Sequence, residues 1–251
     1  MKIYRIIVLS FLFINFSFSQ EIEILYQVDI KRQFSQKALE NFRKNKSKIT
    51  ADNEISMYQN PVPEFYSLKL NKNQLILEYV QNLEDESKAS NLKVKNYPLG
   101  KVSFRIKNDS LIYYKFNFDK EIYFSSDTLI ANKWVKTDVD SVILGFNVNK
   151  IKMKTEIAEY TAWYTDELPQ NLGIGSLSYN GGFIIAFELS YYPKEPFKSH
   201  VIAVYPYKKR KLRKRNKFDF QTPKTLYTQN QIKDIFKERN KSLNKTRIIK
   251  N

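Results

Sequence analysis

Cysteine is absent from this chain of 251 residues, and histidine occurs once, at His200. Without a thiol the protein can form no disulfide, carry no lipid on a cysteine and use no cysteine nucleophile. A single histidine excludes a metal site built from several histidines. The sequence also lacks a GxxxxGK[ST] phosphate loop and a dinucleotide fingerprint. We therefore expect no metal site and no cofactor, and a fold that is stabilised by packing alone.

Long apolar runs are also lacking, apart from a stretch of 13 residues near the start, Ile6 to Phe18. This stretch is shorter than the roughly 20 residues that a membrane-spanning helix needs. Lys2 and Arg5 precede it, and Ser17-Phe18-Ser19 ends it with small residues, which is the pattern of a secretory signal. The pattern predicts cleavage before Gln20 and export of the mature chain to the periplasm or the cell surface.

Acidic residues are outnumbered, with 26 Asp and Glu against 42 Lys and Arg, which gives a net charge of +16. Such an excess favours anionic partners. For an exported chain these are anionic lipid, acidic glycan or an outer-membrane protein, and the export signal argues against nucleic acid. The cations are densest in one run, where we expect an exposed loop that binds anions or is merely solvated: Lys208, Lys209, Arg210, Lys211, Arg213, Lys214, Arg215 and Lys217.

Alternation of apolar and polar residues is the main structural signal of the mature chain, and 15% of all residues are aromatic. It predicts a mainly β fold, an antiparallel meander that forms a curved sheet or half-barrel. Both a packed interior and a cavity for a lipid-like ligand fit this pattern. The expected strands are Ile22–Val28, Leu68–Leu70, Leu75–Tyr79, Val102–Ile106, Ile112–Phe118, Glu121–Phe124, Thr128–Trp134, Val142–Lys154, Glu156–Thr165, Phe183–Leu189 and Val201–Tyr207.

Two segments have helical patterns. Gln36 to Lys46 is rich in helix formers, and Thr228 to Leu243 begins with a capping-box pair, Thr228 and Gln231. The second helix is amphipathic and should dock onto the sheet through Ile232, Ile235 and Phe236. The predicted organisation is a signal peptide at 1–19, a β domain at 20–217, and a C-terminal helix with a basic tail at 218–251.

The most distinctive segment runs from Ala162 to Ile184, AWYTDELPQNLGIGSLSYNGGFI. Its first part alternates as a strand, and Pro169 ends the pairing because proline has no amide hydrogen to donate. Four glycines then permit tight turns or close backbone approach before a second apolar strand. The pattern predicts a strand, a shaped loop and a strand.

This segment resembles the GLPGLI family of exported Bacteroidetes proteins of unknown function. Ala162–Thr165 falls on the family's AWYT element, Leu168-Pro169 on the following apolar-proline pair, and Gly173 on the next glycine. The namesake hexapeptide falls on Tyr179–Ile184, where Gly182 and Ile184 are identical. Upstream, Ile143–Phe146 is similar to the family's strand before its usual cysteine, which this chain lacks. The resemblance implies export and leaves the activity open.

Two functional interpretations follow from these patterns. The first is a non-enzymatic envelope protein with a binding or accessory role, whose ligand or partner surface would comprise Trp163, Tyr164, Asp166, Pro169, Gly173 and Gly182. The second is a hydrolase that uses the carboxylates of Asp166 and Glu167, or a serine with His200. Adjacent residues on a strand point to opposite sides, and no GxSxG elbow is present. We therefore favour the binding interpretation and assign no catalytic residue.

Overall fold

The structure is a computed structural model that describes residues 21–44, 46–59, 61–80, 99, 101–106, 109–118, 121–130, 133–169, 172–212, 223–228 and 230–238. Several predictions lie outside these residues. They are the signal peptide at 1–19, the last four cations of the basic run (Arg213, Lys214, Arg215 and Lys217), and the part of the C-terminal helix and tail after residue 238.

One antiparallel sheet of eleven strands dominates the fold, in the order β6-β5-β4-β3-β2-β1-β11-β10-β9-β8-β7. The chain starts at the centre, meanders to one edge, crosses to the other edge at β7 and returns to pair β11 with β1. The predicted mainly β meander is confirmed, and the sheet does not close into a barrel. The strands are β1 Ile22–Phe34, β2 Glu64–Leu70, β3 Gln74–Val80, β4 Val102–Ile106, β5 Leu111–Phe118, β6 Glu121–Thr128, β7 Val135–Ile143, β8 Phe146–Lys154, β9 Ala158–Thr165, β10 Phe183–Tyr191 and β11 Phe197–Lys211.

Two strand predictions were wrong. The segment Val142–Lys154 is not one strand but contains the turn of the β7–β8 hairpin, because Leu144 and Gly145 have positive φ angles of 51° and 80°. Two such residues form the turn type that matches the twist of a hairpin. The expected strand Thr128–Trp134 was also wrong. Strand β6 ends at Thr128, after which Ile130 forms an isolated bridge with Leu177.

The main core lies on one face of the sheet, here called the inner face, which carries Ile24, Tyr26, Val28 and Ile30 of β1. The loop between β9 and β10 packs onto this face. Four of its apolar side chains are at most 7% exposed: Leu168, Leu172, Ile174 and Leu177. The middle of the inner face is therefore filled by the chain's own loop.

Helices flank the sheet at two places. Helix α1 (Gln36–Lys44) matches its prediction, whereas α2 (Lys48–Gln59) was not predicted. Both contribute to a small cluster around Phe34. Helix α3 (residues 230–238) begins with the predicted capping box, in which the Thr228 amide donates to Gln231 Oε1 at 2.8 Å and the Gln231 amide donates to Thr228 Oγ1 at 3.2 Å. Ile232 is buried, and the ring of Phe236 contacts Phe116.

Candidate functional site

A pocket of about 400 Å³ opens at one end of the inner face. It lies where β1 begins, β11 ends and the β2–β3 turn passes, and we call it the basic pocket. Its walls are apolar and most of its charged groups are cations. The lining residues are Ile22, Leu70, Asn71, Lys72, Phe146, Glu167, Leu168, Pro169, Lys209, Arg210 and Lys211.

The cations reach this pocket because β11 is longer than the sequence predicted. The strand continues through Lys211, so Lys208–Lys211 lie on the sheet and not in a protruding loop. Lys209 pairs with Ile24 and Lys211 with Ile22. Directly opposed residues of an antiparallel pair project from the same face, which directs both lysines to the inner face. The ammonium group of Lys209 lies 3.8 Å from the centre of the Phe146 ring.

Arg210, between these lysines, is held by a carboxylate of the opposite strand. Its Nε donates to Glu23 Oε2, and Ser67 Oγ donates to Glu23 Oε1. Burial of Glu23 by itself would raise its pKa, but the bonds from Arg210 and Ser67 dominate and lower the pKa below its usual value. Glu23 is therefore ionised at neutral pH and holds the guanidinium of Arg210, which projects from the face opposite to Lys209 and Lys211.

The opposite wall comes from the start of the loop between β9 and β10. Glu167 is the single acidic residue that lines the pocket among the described residues. Its Oε1 accepts hydrogen bonds from the Asn147 amide at 2.8 Å and from Asn147 Nδ2 at 3.0 Å. Leu168 and Pro169 follow it and supply apolar wall. The carboxylate that could compete for the lysines is thus bound by the β7–β8 hairpin.

A buried arginine anchors the rest of this loop. Arg105 of β4 is 1% exposed, and its Nη1 donates to the carbonyl oxygens of Gly173 at 2.9 Å and Leu177 at 2.8 Å. Burial lowers the pKa of Arg105 to about 10, so the guanidinium remains charged at neutral pH. Trp134 Nε1 donates to the Ser178 carbonyl at 2.9 Å. These bonds hold the loop against the inner face.

The six residues of the predicted ligand surface do not form one surface. Pro169 lines the basic pocket, and Asp166, three residues earlier, is exposed. Tyr164 is buried against Tyr179, with ring centres 4.5 Å apart. Trp163 projects from the opposite face, where the ammonium group of Lys150 lies 5.6 Å from its ring centre. Gly173 and Gly182 are buried in the backbone contacts of the loop.

The two alternatives of the hydrolase interpretation lie at different places in the fold. His200 lies on β11 nine residues before Lys209, or about 30 Å along an extended strand. Arg32 Nε donates to His200 Nε2 at 3.3 Å, and the imidazole stacks on Tyr191. Burial and the charge of Arg32 lower the pKa of His200. Glu167 lines the basic pocket at the other end of this strand, next to Asp166 in sequence, so the carboxylate pair and His200 belong to different places in the fold.

Comparisons with known proteins leave the activity open. No family model matches the chain, and no curated protein matches it. Two solved structures of PNGF-II, in space groups C2 and P21, align with 79% of the chain at 17% and 18% sequence identity, with TM-scores of 0.47 and 0.46. The chain spans 29% of the length of those PNGF-II chains. Similarity at this level supports neither a family assignment nor an activity.

The sequence analysis missed several residues of this region. Lys72 lies between two predicted strands with no signal of its own, and Ile22 and Leu70 were predicted only as strand residues. Arg105 was hidden because its apolar neighbours Val102, Phe104 and Ile106 suggested an ordinary alternating strand. Among the described residues there is no group of three or more His, Asp or Glu side chains that could hold a metal ion. No helix of these residues is long and apolar enough to cross a membrane.

Proposed function

We propose that the mature chain is an exported, non-catalytic protein of the GLPGLI type that binds an anionic amphiphile, such as a phosphorylated lipid, in the basic pocket. The observation that carries this proposal is the combination of apolar walls and a cationic rim in one cavity. The predicted secretory signal and the GLPGLI resemblance support export. The contacts of the rim and walls support the choice of ligand.

The rim can bind an anion because three of its ammonium groups are available. Lys72, Lys209 and Lys211 form no ion pair with a carboxylate of the described residues. Arg210 is already paired with Glu23, and Glu167 is bound by Asn147. A phosphate or sulfate group would therefore meet a net positive field, since three lysines outnumber the one carboxylate of the lining, Glu167. Lysine holds such groups as a point charge, without the bidentate geometry of arginine.

The walls favour an apolar tail next to the anionic group. Ile22, Leu70, Phe146, Leu168 and Pro169 line the pocket below the lysines. A volume of about 400 Å³ lies in the range of small-molecule sites. An acidic glycan carries charge but has no alkyl chain to cover these side chains. The anionic lipid is therefore preferred over the acidic glycan among the predicted partners.

Isothermal titration calorimetry of the mature chain tests this proposal with three probes: decyl phosphate, inorganic phosphate and decanol, each below its aggregation limit. Decyl phosphate should bind at least about tenfold more tightly than either other probe, since nearby cations each contribute about 1 kcal/mol and the tail adds apolar burial. Its affinity should fall at high salt, because screening weakens the exposed charges.

Each control probe can contradict one part of the proposal. If decanol binds as tightly as decyl phosphate, the cationic rim has no role. If inorganic phosphate binds as tightly as decyl phosphate, the apolar walls have none. If decyl phosphate does not bind at all, the basic pocket is not a site for an anionic amphiphile.

A further inference from the structure

A second pocket, of about 240 Å³, lies toward the other end of the inner face. It is bounded by the middle of the loop between β9 and β10 on one side and by β9, β10 and β11 on the other. Ile202 of β11 lines it, seven residues before Lys209, which corresponds to about 23 Å along a strand. The second pocket is therefore separate from the basic pocket, and loop residues fill the inner face between them.

The chemistry of the second pocket differs from that of the basic pocket. No charged side chain lines it among the described residues. Phe187, Leu189 and Ile202 supply apolar wall, and three phenols from different strands complete it: Tyr114, Tyr160 and Tyr191. Burial, assisted by the charge of Asp127, raises the pKa of Tyr114 to about 12, and burial raises the pKa values of Tyr160 and Tyr191. All three phenols are therefore protonated donors at neutral pH.

These donors are unused within the described residues. None of the three hydroxyl groups has a hydrogen-bond partner among the described residues, and none is fully buried, so solvent can reach them. Ser103, directly opposite Tyr114 on β4, projects from the same face and is 1% exposed. Its Oγ is buried without a partner, behind the residues that line the pocket. Phenols that solvent can reach in an apolar pocket can donate to water or, in its place, to an acceptor on a bound molecule.

We propose that the second pocket binds a small, uncharged, mainly apolar molecule that carries a hydrogen-bond acceptor, such as an aromatic or alicyclic ketone. The apolar walls bind its ring, and at least one phenol donates to its acceptor. An anion is disfavoured because the pocket offers no lining cation to replace its hydration. The ligand class is thus the opposite of that proposed for the basic pocket.

Three probes of similar size test this inference on the mature chain: acetophenone, ethylbenzene and benzoate. Binding is followed by the NMR shifts of the methyl groups of Leu177, Leu189 and Ile202. Acetophenone should shift these methyl groups and bind about fivefold more tightly than ethylbenzene, since only the ketone accepts a hydrogen bond. Benzoate should bind more weakly than acetophenone. The inference is overturned if acetophenone causes no shift, or if either other probe binds equally well.

Phenylalanine variants identify the donor. At least one of Tyr114→Phe, Tyr160→Phe and Tyr191→Phe should weaken acetophenone about fivefold and leave ethylbenzene unchanged. Tyr192→Phe is the matched control, because this neighbour is 42% exposed and does not line the pocket. If all three variants bind acetophenone as the unmodified chain does, the phenols are not donors and the inference is wrong. If a variant does not fold, the comparison of the three probes on the unmodified chain still tests the inference.

Discussion

Gly182 and Arg105 are the two residues that most directly fix the loop between β9 and β10. A Cβ atom at Gly182 would lie 2.5 Å from the Thr165 carbonyl oxygen, so only glycine allows β9 and the loop to approach this closely. Arg105 binds two carbonyl groups of the same loop from the opposite side. Gly182 fixes the loop because it has no side chain to block the close approach, and Arg105 fixes it because its buried guanidinium binds the loop backbone.

Gly182→Ala should lower the free energy of unfolding by about 2 kcal/mol or more, because the clash is with backbone that cannot rotate away. Gly181→Ala is the matched control. The three atoms nearest to its Cβ, the closest at 2.4 Å, all belong to the far end of the Tyr179 side chain, which can shift more readily than backbone. Urea denaturation of both variants measures the difference. Equal losses for the two variants would contradict the close approach of Gly182 to β9.

Arg105→Met should lower the free energy of unfolding by about 2 to 4 kcal/mol, because the Gly173 and Leu177 carbonyl groups lose a charged donor in a buried place. Arg43→Met is the control, since Arg43 pairs with Asp52 at 3.1 Å on the surface and should contribute less than about 1 kcal/mol. Thermal or urea denaturation measures both. A loss for Arg105→Met no larger than the control would refute the anchoring role.

The sequence predicted one of these two residues better than the other. The glycine spacing indicated that Gly182 lies in a tight turn or close approach, and it does. Nothing marked Arg105, because one arginine in an alternating strand normally faces solvent. Its burial depends on a loop that arrives from 68 to 72 residues later in the chain. Such a contact has no local signal in the sequence.

At the scale of elements, β1 and β11 form the longest strand pairing, extending from Ile22↔Lys211 to Phe34↔Phe197. Glu23 and Arg210 are directly opposed within it and join the two strands by a charged hydrogen bond. This pair explains why a strand can continue into a run of cations. Self-repulsion among the cations predicted a loop, but the prediction omitted the carboxylate and the apolar partners on β1.

The Glu23 pair makes part of the stability dependent on pH. Because the folded state lowers the pKa of Glu23 below its usual 4.5, the unfolded state takes up the proton at a higher pH. The contribution of ionised Glu23 to the free energy of unfolding is present above about pH 4.5. It is lost as the pH falls through the pKa that Glu23 has in the folded state. Glu23→Gln should therefore flatten the decline of unfolding free energy in acid, and Arg210→Gln should do so in part. If the unfolding free energy of both variants falls with pH in acid as steeply as that of the unmodified chain, the Glu23 pair does not cause this pH dependence.

Helix α3 gives a second prediction at this scale. Thr228→Ala removes the cap of the Gln231 amide and should cost about 1 kcal/mol of helix stability. Thr225→Ala serves as control, because Thr225 lies outside the capping box. Amide hydrogen exchange of residues 230–238 should increase in the first variant and stay unchanged in the second. Unchanged exchange in Thr228→Ala would show that packing of Ile232 alone holds the helix.

Element predictions succeeded where local chemistry decides the structure. The strand periods, helix α1 and the capping box of α3 were all visible in neighbouring residues. The β7–β8 turn was missed because Leu144 is a residue that rarely adopts a positive φ, so the apolar run around it favoured one long strand. Turn geometry there is imposed by the pairing of the two strands.

At the scale of the whole molecule, the sheet brings together two features that the sequence analysis treated as independent. Pro169, from the loop after the aromatic strand, and Lys209–Lys211, from the basic run, line the same pocket although they are about 40 residues apart. The sequence predicted both segments as candidate binding sites, but it did not predict that they lie in the same pocket. Their proximity depends on the β11-β10-β9 order and on the length of β11.

The central claim is that the basic pocket, and not the net charge of the protein, binds the anionic group. Two variants with the same loss of charge separate these possibilities. Lys209→Gln/Lys211→Gln removes two rim cations. Lys198→Gln/Lys208→Gln removes two exposed cations of the same strand that do not line the pocket.

The most direct measurement is the binding of decyl phosphate to both double variants at low salt. The rim variant should bind about thirtyfold more weakly than the unmodified chain, at about 1 kcal/mol for each cation, whereas the other variant should change little. Equal weakening in the two variants would mean that decyl phosphate responds to overall charge alone, and would contradict the account.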